Sequence, residues 1–166
     1  MSKILNTTKI FIFLTALLVT SPVFTQVKSF NDALKSAKEQ DKKVIIDIYT
    51  DWCGWCKKMD ADVYGKEDIK DLVSDNFIFY KLNAEGDEKV TYNGKQYTAS
   101  DLASYFEVSG YPTTVFLEPN GKVIEYNYNK TKMNNLPGYY KESQFKKVLE
   151  FILDEKYKDT DMKTII

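Results

Sequence analysis

The chain contains no histidine and no arginine, and only two cysteines among its 166 residues. Without histidine a Cys-His hydrolase is excluded. Covalent haem attachment is excluded as well, because it needs a histidine after the second cysteine and position 57 is lysine. A structural zinc site takes about four nitrogen or sulfur ligands, which two cysteines cannot supply. No third cysteine is present for a further internal disulfide or a separate resolving thiol. All 23 basic residues are lysine, against 24 acids, for a net charge of −1. With no arginine for bidentate phosphate contacts and no basic excess, nothing points to nucleic acid. The chain has no internal repeat and no low-complexity linker, and at 43% hydrophobic and 14% aromatic residues it reads as one domain with a core that needs no disulfide.

The chain begins with Lys3 and Lys9, an uncharged apolar run over 10–19 and a short polar exit over 20–26. A basic start and roughly ten apolar residues make a secretory signal, too short to span a bilayer comfortably. The alternative is an uncleaved N-terminal anchor. The reading is therefore a signal peptide over 1–25, a domain over 26–166 packed as far as Tyr157, and an exported protein, periplasmic or secreted. Removing 1–25 leaves 21 lysines against 24 acids, a net charge of −3. Outside the cytosol a cysteine pair can form and keep a disulfide.

That pair is Cys53 and Cys56, in the segment Asp51-Trp52-Cys53-Gly54-Trp55-Cys56-Lys57, closely after the apolar run 44–49. A strand feeding C-x-x-C into a helix start places the first sulfur where helix-end N–H groups stabilise a thiolate. The spacing therefore suggests a dithiol redox site. A purely structural disulfide is the competing reading, although closing so short a loop stabilises a fold by only roughly 2 kcal/mol.

Periodicity orders the rest. Phe30, Ala33, Leu34 and Ala37 mark an amphipathic helix that ends at Asp41-Lys42-Lys43 without glycine or proline. Residues 44–49 read as a buried central strand, 53–63 as a helix, Ile69, Leu72 and Val73 as a short helix, and 77–82 as the next strand. Asn93-Gly94 predicts an inserted hairpin between 89–92 and 95–98. Leu102, Tyr105 and Phe106 suggest a helix, and Gly110-Tyr111-Pro112 turns into a strand over 113–117. The turn at 119–122 predicts an antiparallel partner over 123–128. A polar loop then leads to a last helix with Phe145, Val148, Leu149 and Ile152 inward, and the charged tail from Lys156 is expected to fray. The fold class is α/β, a central mixed sheet flanked by helices with a small β-hairpin insertion.

Residues 47–57, with an acid six positions before the first cysteine and a lysine after the second, resemble the active-site segment of the thioredoxin family. Lys81-Leu82-Asn83 resembles that family's third-strand segment, Tyr111-Pro112-Thr113 its cis-proline turn, and Gly138 a family glycine before the final helix. The resemblance covers about 44–155 and implies a thioredoxin-like fold. Gly54-Trp55 replaces the Gly-Pro of thioredoxin itself, so the family's redox poise does not carry over. The hairpin and the loop over 129–140 are additions.

Several roles follow from the residues, and others from the resemblance. Cys53, at the helix start, is expected to be the more exposed nucleophile, and Cys56, one turn on, the buried resolving thiol. Asp47, an acid in an apolar strand, is the candidate base for Cys56, unless it points to solvent. The resemblance places Lys81 beside that acid, although a strand lysine also commonly snorkels at the surface. It makes Pro112 a cis proline packed near the cysteines, and the backbone of Tyr111 a partner for extended substrate; from sequence alone Pro112 is simply a turn proline. Gly54, Trp52 and Trp55 flank the sulfurs and complete the candidate substrate-binding set, with Trp52 alternatively a packing residue. No cofactor is called for beyond the Cys53–Cys56 disulfide.

The implied partners are disulfide-containing proteins and a membrane or exported electron donor, with the protein itself a monomer. No histidine between the cysteines stabilises a thiolate, which favours a reductase over an oxidase or isomerase. A peptide-binding or chaperone-like module without turnover is the reading from a different class.

Overall fold

The computed structural model describes residues 27–166; the stretch read as a secretory signal lies outside the described residues. In chain order the elements are α1 (Phe30–Gln40), β1 (Lys43–Tyr49), α2 (Gly54–Met59), a π-helical turn (Asp60–Tyr64), α3 (Glu67–Asn76), β2 (Phe77–Asn83), β3 (Lys89–Tyr92), β4 (Lys95–Thr98), α4 (Ala99–Tyr105), β5 (Thr113–Leu117), β6 (Tyr126–Tyr128), β7 (Thr131–Met133), β8 (Leu136–Pro137) and α5 (Glu142–Leu153). The main sheet has the order β2-β1-β5-β8, with β1 parallel to β2 and antiparallel to β5. The β-branched run of β1 is central, and helices cover both of its faces. One face packs Val44, Ile46 and Ile48 against α1, α4 and the hairpin. The other packs Ile45, Phe79 and Phe116 against Met59, α3 and α5.

Local chemistry sets the boundaries. Ser29 caps α1 by accepting the Asp32 N–H at 3.1 Å, and Asp41 ends the helix in the left-handed region that glycine usually fills. Asn93 and Gly94 both have positive φ (51° and 75°), the conformation a two-residue hairpin turn requires. The hairpin is fixed to the body: the Tyr92 hydroxyl donates to the Gly121 carbonyl at 2.8 Å, and Glu88 accepts from the Tyr80 hydroxyl and the Phe30 N–H.

Three expectations need correction. The helix over 53–63 is α2 followed by a π-helical turn, because Gly65 N–H bonds back five residues to the Asp60 carbonyl at 2.7 Å. The strand over 123–128 does not run as a partner of β5. Val123 and Ile124 pair with its backbone, through a bridge to Leu117 and an Ile124 N–H bond to the Phe116 carbonyl at 2.9 Å. The edge at Thr113 and Thr114 is taken by β8, and β6 turns away to pair with β7 around Asn129 and Lys130. Asp161 fixes that turn by accepting both of their N–H groups at 2.8 and 2.7 Å. Nor does the charged tail fray: Tyr157 and Met162 are buried in the same core cluster as α5, while Lys156, Lys158 and Lys163 face solvent.

Candidate redox site

After β1 the chain passes through Thr50, Asp51 and Trp52 and delivers Cys53 as the N-cap of α2. The Cys53 N–H donates to the Thr50 carbonyl at 3.1 Å, and Cys53 Sγ accepts the Cys56 N–H at 3.0 Å. The two sulfurs form a disulfide. The expected difference in exposure is absent: Cys53 is 4% and Cys56 3% exposed. Bonded to each other, the sulfurs sit at one depth, and what distinguishes Cys53 is its cap position and the N–H aimed at it.

Asp47 is 2% exposed and does not point to solvent. It shares a face of β1 with Ile45, under the helices that include α2 and the π turn, and its neighbours across the sheet are Lys81 and Thr114. Lys81 Nζ lies 3.3 Å from Asp47 Oδ2, also bonds Asp60 Oδ1, and stands 4.8 Å from the centre of the Tyr49 ring. Lys81 is thus turned inward rather than out to the surface. Asp47 Oδ1 has no hydrogen-bond partner among the described residues. Burial pushes the Asp47 carboxyl up to about 6, against the pull of Lys81 and with a further push from the Asp60 charge. Asp60 was not foreseen from the sequence. It stands one turn after Cys56, a spacing that puts both on one helix face, and that was the available signal.

Around the sulfurs the surface is aromatic. Trp52 and Trp55 are 68% and 59% exposed, so neither is a packing residue. The Trp52 indole N–H donates to the Glu85 carboxylate, and its ring meets Tyr111 edge-on at 6.1 Å. Trp55 stacks at a tilt on Tyr139 at 5.5 Å. Trp55, Tyr111, Pro112, Gly138 and Tyr139 line one open cleft of about 320 Å³. The Tyr111–Pro112 peptide bond is cis, and the Pro112 carbonyl accepts the Gly138 N–H at 2.8 Å. Gly54 is exposed, with open space where a Cβ would stand, so packing does not demand glycine there. Tyr139 and Glu85 also went unforeseen, because each lies in a loop without periodicity. Among the described residues, no group of three or more acidic, cysteine or histidine side chains is placed to hold a metal ion.

Residues 30–153 match the family model described as a thioredoxin-like domain. The chain belongs to the thioredoxin-like family. Among its relatives, a protein disulfide-isomerase of Zea mays is 36% identical over 90 residues, 54% of this chain and 15% of that protein. The thiol:disulfide interchange protein DsbD of Pseudoalteromonas atlantica is 31% identical over 108 residues, 62% of this chain and 16% of that protein. The chain thus spans about one-sixth of the length of these relatives. A solved thioredoxin-fold protein from Helicobacter pylori superposes with a TM-score of 0.57 at 27% identity, covering 75% of this chain and 80% of that one. In this thioredoxin-like chain the redox centre is the Cys53–Cys56 pair, and the cleft beside it runs along the cis proline.

Proposed function

We propose that this protein is an exported thiol–disulfide oxidoreductase that reduces disulfides of other proteins by dithiol exchange. The observation that carries the reading is the Cys53–Cys56 disulfide at the start of α2, with the Cys56 N–H aimed at Cys53 Sγ. In the reduced protein that N–H and the helix end favour the Cys53 thiolate. Cys53 attacks one sulfur of a substrate disulfide, forming a mixed disulfide and releasing the first substrate thiolate. Cys56 then gives up its proton, attacks Cys53 Sγ and releases the second. Two electrons pass to the substrate, and the protein is left with the Cys53–Cys56 disulfide. Asp47 receives the Cys56 proton, for which its raised proton affinity suits it, and Lys81 steadies the carboxylate that gives the proton back to water.

Trp52, Gly54, Trp55, Tyr111 and Pro112 form the docking surface, and an extended substrate segment pairs with the backbone of Tyr111. A membrane or exported electron donor re-reduces the pair. The domain is residues 26–166, released from the signal over 1–25 and acting as a monomer in a periplasm or outside the cell. Similarity to proteins named protein disulfide-isomerase favours a second reading, as an oxidase or isomerase.

The reduction potential of the mature domain, followed by tryptophan fluorescence in thiol buffers, separates the two. A value near about −270 mV supports the reductase, and one near about −120 to −180 mV transfers the assignment to the second reading. A Cys56→Ser variant should trap protein partners on Cys53; trapping none in the exporting cell argues against a protein-disulfide substrate.

A further inference from the structure

Asp60 stands outside the pair of residues, Asp47 and Lys81, to which the reaction above assigns the Cys56 proton. The π-helical turn that presents it is closed by the Gly65 N–H on the Asp60 carbonyl at 2.7 Å. Glycine is needed there for space, since a Cβ on Gly65 would stand 2.9 Å from the carbonyl oxygens of both Asp60 and Ala61. The widened turn leaves the Asp60 carboxylate on Lys81 Nζ, the same nitrogen that lies 3.3 Å from Asp47 Oδ2. One ammonium is therefore shared between two carboxylates, one sealed in the sheet and the other 44% exposed.

We infer that Asp60 is a positioning residue: by dividing Lys81 with Asp47, it sets how strongly Asp47 holds a proton and gives that proton a polar route to water. The inference rests on the redox reading for its role in turnover, and on geometry alone for its effect on Asp47. The charged and titratable groups facing Asp47 are few. Lys81 comes from β2, Asp60 and Tyr64 from the π turn, and Tyr49, whose ring meets the Lys81 ammonium, from the same face of β1, while β5 contributes only the uncharged Thr114. With Asp60 present, Lys81 is partly diverted and a second negative charge stands near Asp47, and both raise the affinity of Asp47 for a proton. Removing the Asp60 charge acts in one direction for both reasons.

The test is the pH titration of the Asp47 carboxyl carbon by NMR in the intact oxidised domain, assigned by its loss in Asp47→Asn. Asp60→Asn should lower the midpoint by about half to one pH unit, the size of a single partly screened charge interaction, and Asp60→Glu should return it towards the wild-type value. An unchanged midpoint in folded Asp60→Asn overturns the inference, as does a midpoint that stays low in Asp60→Glu. In turnover, the acid limb of the pH profile for release of substrate from the Cys53 mixed disulfide should shift down with the Asp60→Asn midpoint. A protein that proves to have no exchange activity would defeat the redox reading, yet the titration would still decide the role of Asp60.

Discussion

The two faces of β1 were built from neighbouring residues to opposite ends. Val44, Ile46 and Ile48 enter a face without a buried charge, closed by Phe30, Leu102 and Phe106 and polar only at the hydrogen-bonded Tyr80 and Tyr92 hydroxyls. Ile45 and Asp47 enter the other, which is equally apolar beneath α3 and α5 but ends, toward α2 and the π turn, in the row Lys81, Asp47 and Thr114. The first face contributes stability mainly through burial. The second gives up some of that contribution at one end to hold an ionisable group in a dry place, which is costly unless paired and is the means by which a carboxyl gains a high proton affinity. The contrast separates residues that hold the fold from residues that prepare it for chemistry.

The comparison breaks most visibly at Phe106, fully buried on the apolar face. Phe106→Ala should cost about 3–5 kcal/mol in denaturant unfolding and leave the reduction potential of the cysteine pair unchanged. On the other face the sign reverses. Asp47 has a folded-state value of about 6 against an ordinary 3.8, so its protonated form contributes stability that is complete below 3.8 and lost as pH rises through 6. Asp47→Asn should therefore stabilise the protein at pH 8 by about 2 kcal/mol and flatten the loss of stability between pH 4 and 7, as chemical denaturation across that range would show. The same variant should slow resolution of the mixed disulfide roughly 10²-fold, the low end of what a positioned base supplies.

A smaller effect is expected at Asn135, a buried amide whose Nδ2 donates to the Phe106 carbonyl at 2.7 Å and ties the loop before β8 to the end of α4. Asn135→Ala should cost about 1–2 kcal/mol by leaving that carbonyl unmatched, read as a lower denaturation midpoint. Smallest is Gly94→Ala. The space around Gly94 is open but φ is +75°, so the change should cost about 1 kcal/mol in the same assay, all of it backbone strain.

Much of this was legible in the sequence wherever a pattern was local. The stripe of Phe30, Ala33 and Ala37, the β-branched run ending at Tyr49, and Asn93-Gly94 each produced the element they suggest, because short-range sterics and burial periodicity act within a few residues. The C-x-x-C pair was equally plain. The partner of β5 was not, since the choice between residues 123–128 and Leu136-Pro137 depends on Asp161, some 30 residues away, fixing the β6–β7 turn. The packed tail was hidden for a similar reason: Tyr157 and Met162 sit in single 3₁₀ turns too short to show a period.

The sequence alone singled out the cysteine pair: two cysteines three apart at a strand-to-helix junction, with no histidine to build a metal site, a haem attachment or a Cys-His hydrolase from them. It also singled out Asp47, because an acid inside a β-branched run is conspicuous. What only the tertiary structure decided is which way that acid faces and who shares its lysine. Side chains on a strand buried on both faces alternate without any polarity signal to tell one side from the other, and Asp60 meets Lys81 only once a π turn, made possible by Gly65, has been laid over β2.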